Sequence, residues 1–214
     1  MTNPPRNIVG LSHALCCEFF GDKKIAAAVD ATLGGGRDAL FMTRFLDGNK
    51  SGIGNGDWNK DGLGVENKNK NKKIFGFDVQ KAAVERSRAL FEENGLSDIA
   101  EFFEVGHERM LEFIPPEFFG KIGCVFFNLG WLPDSDKTRI TKPETTLAAL
   151  KCAFRIIDKN RAFLSVASYR GHAGGAEEFD AVRGFFAENF GAKSESYGDV
   201  GNPIAPVLFV ARFA

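Results

Sequence analysis

The chain has 214 residues, 44% hydrophobic and 26% charged, which fits one large domain or two small ones around a substantial core. Because the net charge is only −1, any nucleic-acid partner must be held by a local basic patch rather than by a global field. There is no apolar run of about eighteen residues and MTNPPRNIVG lacks a charged-then-apolar leader pattern, so neither a membrane span nor a secretory signal is expected, and a cytoplasmic location is.

The pattern predicts elements from residue 25 onward. Residues 25–31 (IAAAVDA) read as a strand ending near Asp30. The glycines Gly34 to Gly36 follow, then a helix with Leu40, Phe41, Phe45 and Leu46 on one stripe. Residues 47–73 are rich in Gly, Asn and Lys with almost no apolar residues, and read as a solvated, flexible insertion. Residues 73–78 (KIFGFD) are a second strand and 80–94 a helix. Residues 99–105 are a third strand, with a short helix after His107. Residues 121–128 are the fourth strand. Residues 143–157 are a helix with Pro143 suited to its first turn, 161–168 a fifth strand, and 175–190 a helix. Two last strands, near 193–199 and 206–213, leave no room for a helix between them.

This alternation predicts an α/β fold: a mostly parallel seven-stranded sheet with helices on both faces and a C-terminal antiparallel hairpin. That matches the class I methyltransferase (Rossmann-like) arrangement better than a plain dinucleotide fold. The 22 Phe are expected to fill the core. Cys16, Cys17, Cys124 and Cys152 contain no CxxC pair, so neither a zinc site nor a disulfide framework is expected, and the thiols read as free and buried.

DATLGGGRDA (30–39) falls at the first strand-to-helix turn, where glycines let backbone approach a ligand closely. Gly34, Gly36 and Ala39 also fit G-x-G-x-x-A, although a glycine-rich turn needs no ligand. Asp78 ends the second strand, where a carboxylate can accept both hydroxyls of a ribose, and Gln80 follows. Gly106 and His107 come after the third strand, where such folds place a residue beside an adenine. A surface histidine is the plainer reading of His107.

Asn128 ends the fourth strand near the middle of the sheet. Ligands of open α/β sheets bind beyond the carboxyl ends of the strands. The amide oxygen of Asn128 can hold an amine by its N–H groups, and Trp131 offers a face for stacking a base. Pro133 stiffens the loop. His172 is placed to take up a proton or touch a phosphate. Lys137, Arg139 and Lys142 form a small basic cluster suited to an RNA backbone. The bland alternatives are a capped turn, a core indole and a solvated face.

These stretches together resemble a known family. NLGWLP (128–133) followed by SDK, TKPETT (141–146), DAT-x-G-x-G-x-D (30–38), GFD-x-Q (76–80) and Y-x-GH-x-x-G (169–175) look like the signature of small bacterial methyltransferases, first labelled rRNA methylases and now understood as tRNA 5-aminomethyl-2-thiouridine methyltransferases. The resemblance covers nearly the whole chain except 47–73. It implies one methyltransferase domain over 1–214, S-adenosyl-L-methionine as methyl donor, and the aminomethyl nitrogen of the tRNA wobble uridine as acceptor. It implies cofactor binding by Asp30, Gly34, Gly36, Asp38, Asp78, Gln80, Gly106, His107 and Asn128. Catalytic roles would fall to Asn128, Trp131 and His172. Substrate contacts would come from Leu129, Gly130, Trp131, Lys137, Arg139, Lys142 and Tyr169, with tRNA as partner and a second copy of the chain as another. Trp131 stands where the family usually has Tyr, and Asp134-Ser135 replace a Gly-rich pair. The competing readings are an rRNA or other nitrogen methyltransferase, an NAD-dependent oxidoreductase, and a non-catalytic RNA-binding protein.

Overall fold

The computed structural model describes residues 7–46, 72–130 and 141–214. Its strands are β1 (Ala27–Asp30), β2 (Lys73–Asp78), β3 (Ala100–Glu104), β4 (Ile122–Asn128), β5 (Ala162–Ser168), β6 (Ser194–Tyr197) and β7 (Val207–Phe213). Its helices are α1 (Ile8–Phe20), α2 (Arg37–Met42), α3 (Lys81–Glu93), α4 (Met110–Phe113), α5 (Pro143–Ile156) and α6 (Gly175–Asn189), with short 3-10 turns between. The strands make one seven-stranded sheet ordered β3-β2-β1-β4-β5-β7-β6. β1 to β5 run parallel, and β7 lies antiparallel between β5 and β6. The expected fold is therefore present.

Strand alternation sorts the core into two layers. Val29, Val125, Phe127, Leu164 and Val166 face α4, α5 and α6. Ala28, Cys124, Phe126, Phe163 and Ala167 face α1, α2 and α3. These strands bury apolar residues on both faces, as a helix-covered parallel sheet requires. The phenylalanines are largely core filling; Phe190, for instance, stands edge-on to Phe213 at 5.6 Å and to Phe154 at 5.5 Å.

Three details differ from the sequence reading. Helix α1 was not expected. Asn7 caps it, its Oδ1 accepting from the Gly10 N–H at 2.6 Å, and Gly21 ends it at φ 52°. Its Leu15, Cys16 and Phe20 are buried, and the leucine and phenylalanine side chains contribute roughly 1.5–3 kcal/mol each. Lys73 does not belong to the insertion: it opens β2, opposite Ala27. The rest of that stretch, 47–71, lies outside the described residues. Finally, Cys16 and Cys124 are buried, but Cys17 and Cys152 are only partly so, and Arg44 Nη1 donates to Cys17 Sγ at 3.2 Å.

Arg170, just past β5, is 8% exposed and ties down the connection between β6 and β7. Its guanidinium donates to the carbonyls of Asp199, Val200, Asn202 and Ala205 while lying over the Phe179 ring at 4.6 Å.

Candidate functional site

The strand order reverses between β1 and β4, so a crevice opens at their carboxyl ends, where open α/β sheets bind ligands. The turn after β1 forms one wall. Gly36 sits at φ 74°, and a Cβ there would lie 2.8 Å from Ser87 Oγ and 3.1 Å from the Ser87 Cα. Position 36 therefore requires glycine twice over, for its backbone conformation and for the close packing of α3. Ser87 Oγ donates to the Gly34 carbonyl at 3.2 Å, and the Gly34 N–H donates to Asp78 Oδ2 at 2.9 Å. The other Asp78 oxygen accepts from the Gln80 N–H at 2.8 Å. Each oxygen keeps a second lone pair, so the geometry leaves room for a diol. Burial raises the Asp78 pKa, and the two backbone N–H groups oppose that rise.

Asp30 works inside the turn. Its oxygens accept from the Thr32 N–H at 3.2 Å and the Ala39 N–H at 3.0 Å, and the residue is 1% exposed. Burial above all, then the charge of Asp38, pushes its pKa well above the usual carboxylate value. Like Asp78 it takes one backbone N–H on each oxygen, but it is almost fully buried, so these bonds hold the turn.

Asn128 forms the second wall. Its N–H donates to Thr32 Oγ1 at 2.7 Å, which fastens the tip of β4 to the turn. Its amide Nδ2 donates to Asp38 Oδ2, and the other oxygen of Asp38 meets His13 Nε2 at 2.6 Å. Tyr169 lies beside the same carboxylate: burial, then the Asp38 charge, raise its pKa. Gly130 adopts φ 117°, and a Cβ there would lie 3.5 Å from His172 Nε2 and 3.8 Å from the Tyr169 Cβ. Asn128, Gly130, Tyr169 and His172, which are up to 44 positions apart in sequence, thus meet at one rim.

Two other residues finish that rim. Thr141 Oγ1 accepts from the Gly130 N–H at 2.8 Å and donates to Glu178 Oε2 at 2.8 Å. Thr146 Oγ1 donates to the other Glu178 oxygen at 2.5 Å. Burial raises the Glu178 pKa, and these hydroxyls pull it back.

Of the remaining expected site residues, Leu129 is buried in the core. Lys142 is exposed at the start of α5. Trp131, Pro133, Lys137 and Arg139 lie outside the described residues. Gly106 precedes His107 after β3, and a Cβ there would lie 2.3 Å from the Glu108 carboxylate, the end of a flexible side chain that can swing aside.

His107 is not a surface histidine. It is 7% exposed, its Nδ1 meets the Ala31 carbonyl at 3.1 Å, and its ring stands 5.7 Å from that of Phe127. A carbonyl only accepts, so Nδ1 carries the proton and Nε2 is an acceptor. Burial lowers its pKa below the ordinary value of 6.5. A depressed histidine gives stability that is fully present above the unfolded pKa and is lost as pH falls through the folded one. His107→Asn can keep the donor to Ala31 without titrating. Its melting temperature should therefore fall less than the wild type's between about pH 7 and pH 5. Parallel melting curves across that range would contradict the assignment.

The sheet order, the glycine turn tied to an acid on the next strand, and an asparagine at the neighbouring strand tip define a class I methyltransferase fold. More specifically, the family model described as "Putative rRNA methylase" matches residues 74–195, more than half of the chain, and the chain belongs to that family. It is 32% identical over 160 residues to the tRNA (mnm(5)s(2)U34)-methyltransferase, chloroplastic, of Arabidopsis thaliana, covering 73% of this chain. The chain spans about half of that relative's length, 51%. A "putative rRNA-methylase" of Clostridium thermocellum superposes with TM-score 0.75 at 25% identity, covering 99% of this chain and all of the other. A "putative methyltransferase" of Streptococcus mutans solved in complex with SAH superposes with TM-score 0.69 at 23% identity, covering 99% of both chains. A family of methylases sets aside the NAD-dependent oxidoreductase that the glycine pattern also allowed. Among the described residues, no helix is long and apolar enough to cross a membrane.

Proposed function

We propose that the protein methylates RNA, using S-adenosylmethionine, at the aminomethyl nitrogen of 5-aminomethyl-(2-thio)uridine in the wobble position of tRNA. The observation that supports this most is the polarity of the Asn128 amide. A carboxylate can only accept, so Asp38 fixes Nδ2 toward itself and leaves Oδ1 as the acceptor on the other side. An amide oxygen at the middle of the crevice suits an amine with N–H groups to donate. The plant relative bears the name of this same reaction on tRNA, and a cytoplasmic site of action is proposed with it.

The residues fit the cofactor. Gly36 packs where any side chain would collide with Ser87, and Asp78 presents two oxygens with lone pairs to spare. Gly34, Gln80 and His107 stand around them. Bound there, the cofactor would supply an electrophilic methyl group for the lone pair of a neutral amine, and the protein would have to accept the proton that the methylated amine gives up. Asn128 Oδ1 orients the amine, which is where the protein contributes, since the methyl group is already activated. His172, on the same rim, is positioned to receive the proton.

The test is nucleoside mass spectrometry of tRNA carrying the aminomethyl uridine, incubated with the protein and S-adenosylmethionine. The expected result is one added methyl on that nucleoside. Methyl transfer only to rRNA redirects the acceptor, and transfer to neither RNA overturns the reading in favour of a non-catalytic RNA-binding protein.

A further inference from the structure

We propose that His13, on α1, is a positioning residue that acts through Asp38 to fix the orientation of the Asn128 amide. The inference rests on the methyl-transfer reading above. The two aspartates that flank the glycine turn have separate tasks. Asp30 accepts the backbone N–H groups of Thr32 and Ala39 and so holds the turn. Asp38 accepts instead from two side chains, His13 Nε2 at 2.6 Å and Asn128 Nδ2. Asp38 is therefore tied to the acceptor end through Asn128.

The His13 ring has little freedom. It stacks on Phe41 with centroids 3.7 Å apart and planes 3° apart, and lies 5.8 Å from Phe126, two residues before Asn128. Its side chain is 20% exposed and that of Asp38 10%. The helix beneath it is pinned to the sheet by the Ser12 and Ser165 hydroxyls at 2.7 Å and by buried Leu15 and Cys16. A rigid helix thus fixes a ring, the ring fixes a carboxylate, and the carboxylate fixes an amide. Because a carboxylate only accepts, Nε2 of His13 must carry a proton. Without that donor, Asp38 is free to turn toward water, and the amide of Asn128 loses its reason to keep Oδ1 toward the amine. A flipped amide would oppose Nδ2 hydrogens to the hydrogens of the amine.

The variants separate donation from packing. His13→Phe keeps an aromatic ring on Phe41 and removes the donor. His13→Gln returns an N–H at about the position of Nε2. In single-turnover methyl transfer to tRNA, His13→Phe should lower the rate about tenfold or more, with cofactor Kd and tRNA KM unchanged. His13→Gln should return to within about threefold of wild type, and His13→Phe should cost little further when Asn128 is already Ala. A wild-type rate in His13→Phe, equal losses in Phe and Gln, or additive losses with Asn128→Ala would each overturn the proposal. If the wild-type protein methylates no tRNA, the functional reading fails, while the arrangement itself is still read in a long-range ¹H–¹⁵N spectrum of the imidazole. There a protonated Nε2 supports the proposal and a bare Nε2 overturns it whatever the activity.

Discussion

Asp78→Ala should weaken S-adenosylmethionine binding by about ten- to a hundredfold, from the loss of about 1.5–3 kcal/mol of hydrogen bonding to a charged group. The carboxylate sits at the end of β2 with each oxygen taking one backbone N–H, from Gly34 and from Gln80. It is therefore held in place before any ligand arrives, with one lone pair on each oxygen left over for a ribose. Affinity and stability should part company in this variant. Burial raises the Asp78 pKa, and a raised carboxyl gives stability that is present below the unfolded pKa and is lost as pH rises through the folded one. At neutral pH the ionised group is thus a cost to the fold, partly offset by its two N–H donors. Alanine removes the cost and the bonds together, so the melting temperature should shift far less than the affinity does. Calorimetry with S-adenosylmethionine, run beside thermal melts, gives the comparison. Unchanged affinity would remove Asp78 from the cofactor site, and a collapse of melting temperature would make it a structural residue.

Much of this site was legible because it lies on strands whose ends carry a chemical change. KIFGFD is apolar from Ile74 to Phe77 and then ends in an acid, and β2 runs over those six residues, Lys73–Asp78. The apolar run Ile122–Phe127 stops at Asn128, and so does β4. Leu129 is buried for a reason the same pattern contains. Val125 and Phe127 face α5 and α6, so the alternation carried one step further puts Leu129 in that layer and not on the rim. Helix α1 also had a signal: Asn7 as cap, Leu11, Leu15, Cys16 and Phe19 on one stripe, and Gly21 as stop. What no local pattern shows is why His13 matters. Its partner, Asp38, is 25 residues away, and the contact exists only once α1 crosses the sheet. Arg170 is the same kind of case, since its acceptors are backbone carbonyls 29–35 residues on, which any sequence would supply.

Asn128→Ala should lower single-turnover methyl transfer about a hundredfold while leaving S-adenosylmethionine affinity within about twofold of wild type, the pattern of lost positioning rather than lost binding. The cofactor wall does not depend on the amide: Gly34, Asp78 and Gln80 are joined to one another without it. The tip of β4 does not depend on it either, because the backbone N–H of residue 128 meets Thr32 Oγ1 and the Leu129 N–H meets the Ala167 carbonyl at 2.9 Å. Alanine keeps both backbone bonds and removes only the group that Asp38 orients. Asn128→Asp makes a sharper test. It has nearly the same shape, yet it sets a second carboxylate against Asp38, where two like charges in contact cannot both ionise freely. It must lose the Nδ2 bond, and it should be at least as slow as alanine. Comparable rates in wild type and Asn128→Ala would mean that the end of β4 is a structural turn and that the amine is held elsewhere. A full rate in Asn128→Asp would mean that an acceptor oxygen is all the reaction needs and that the Asp38 contact does no orienting.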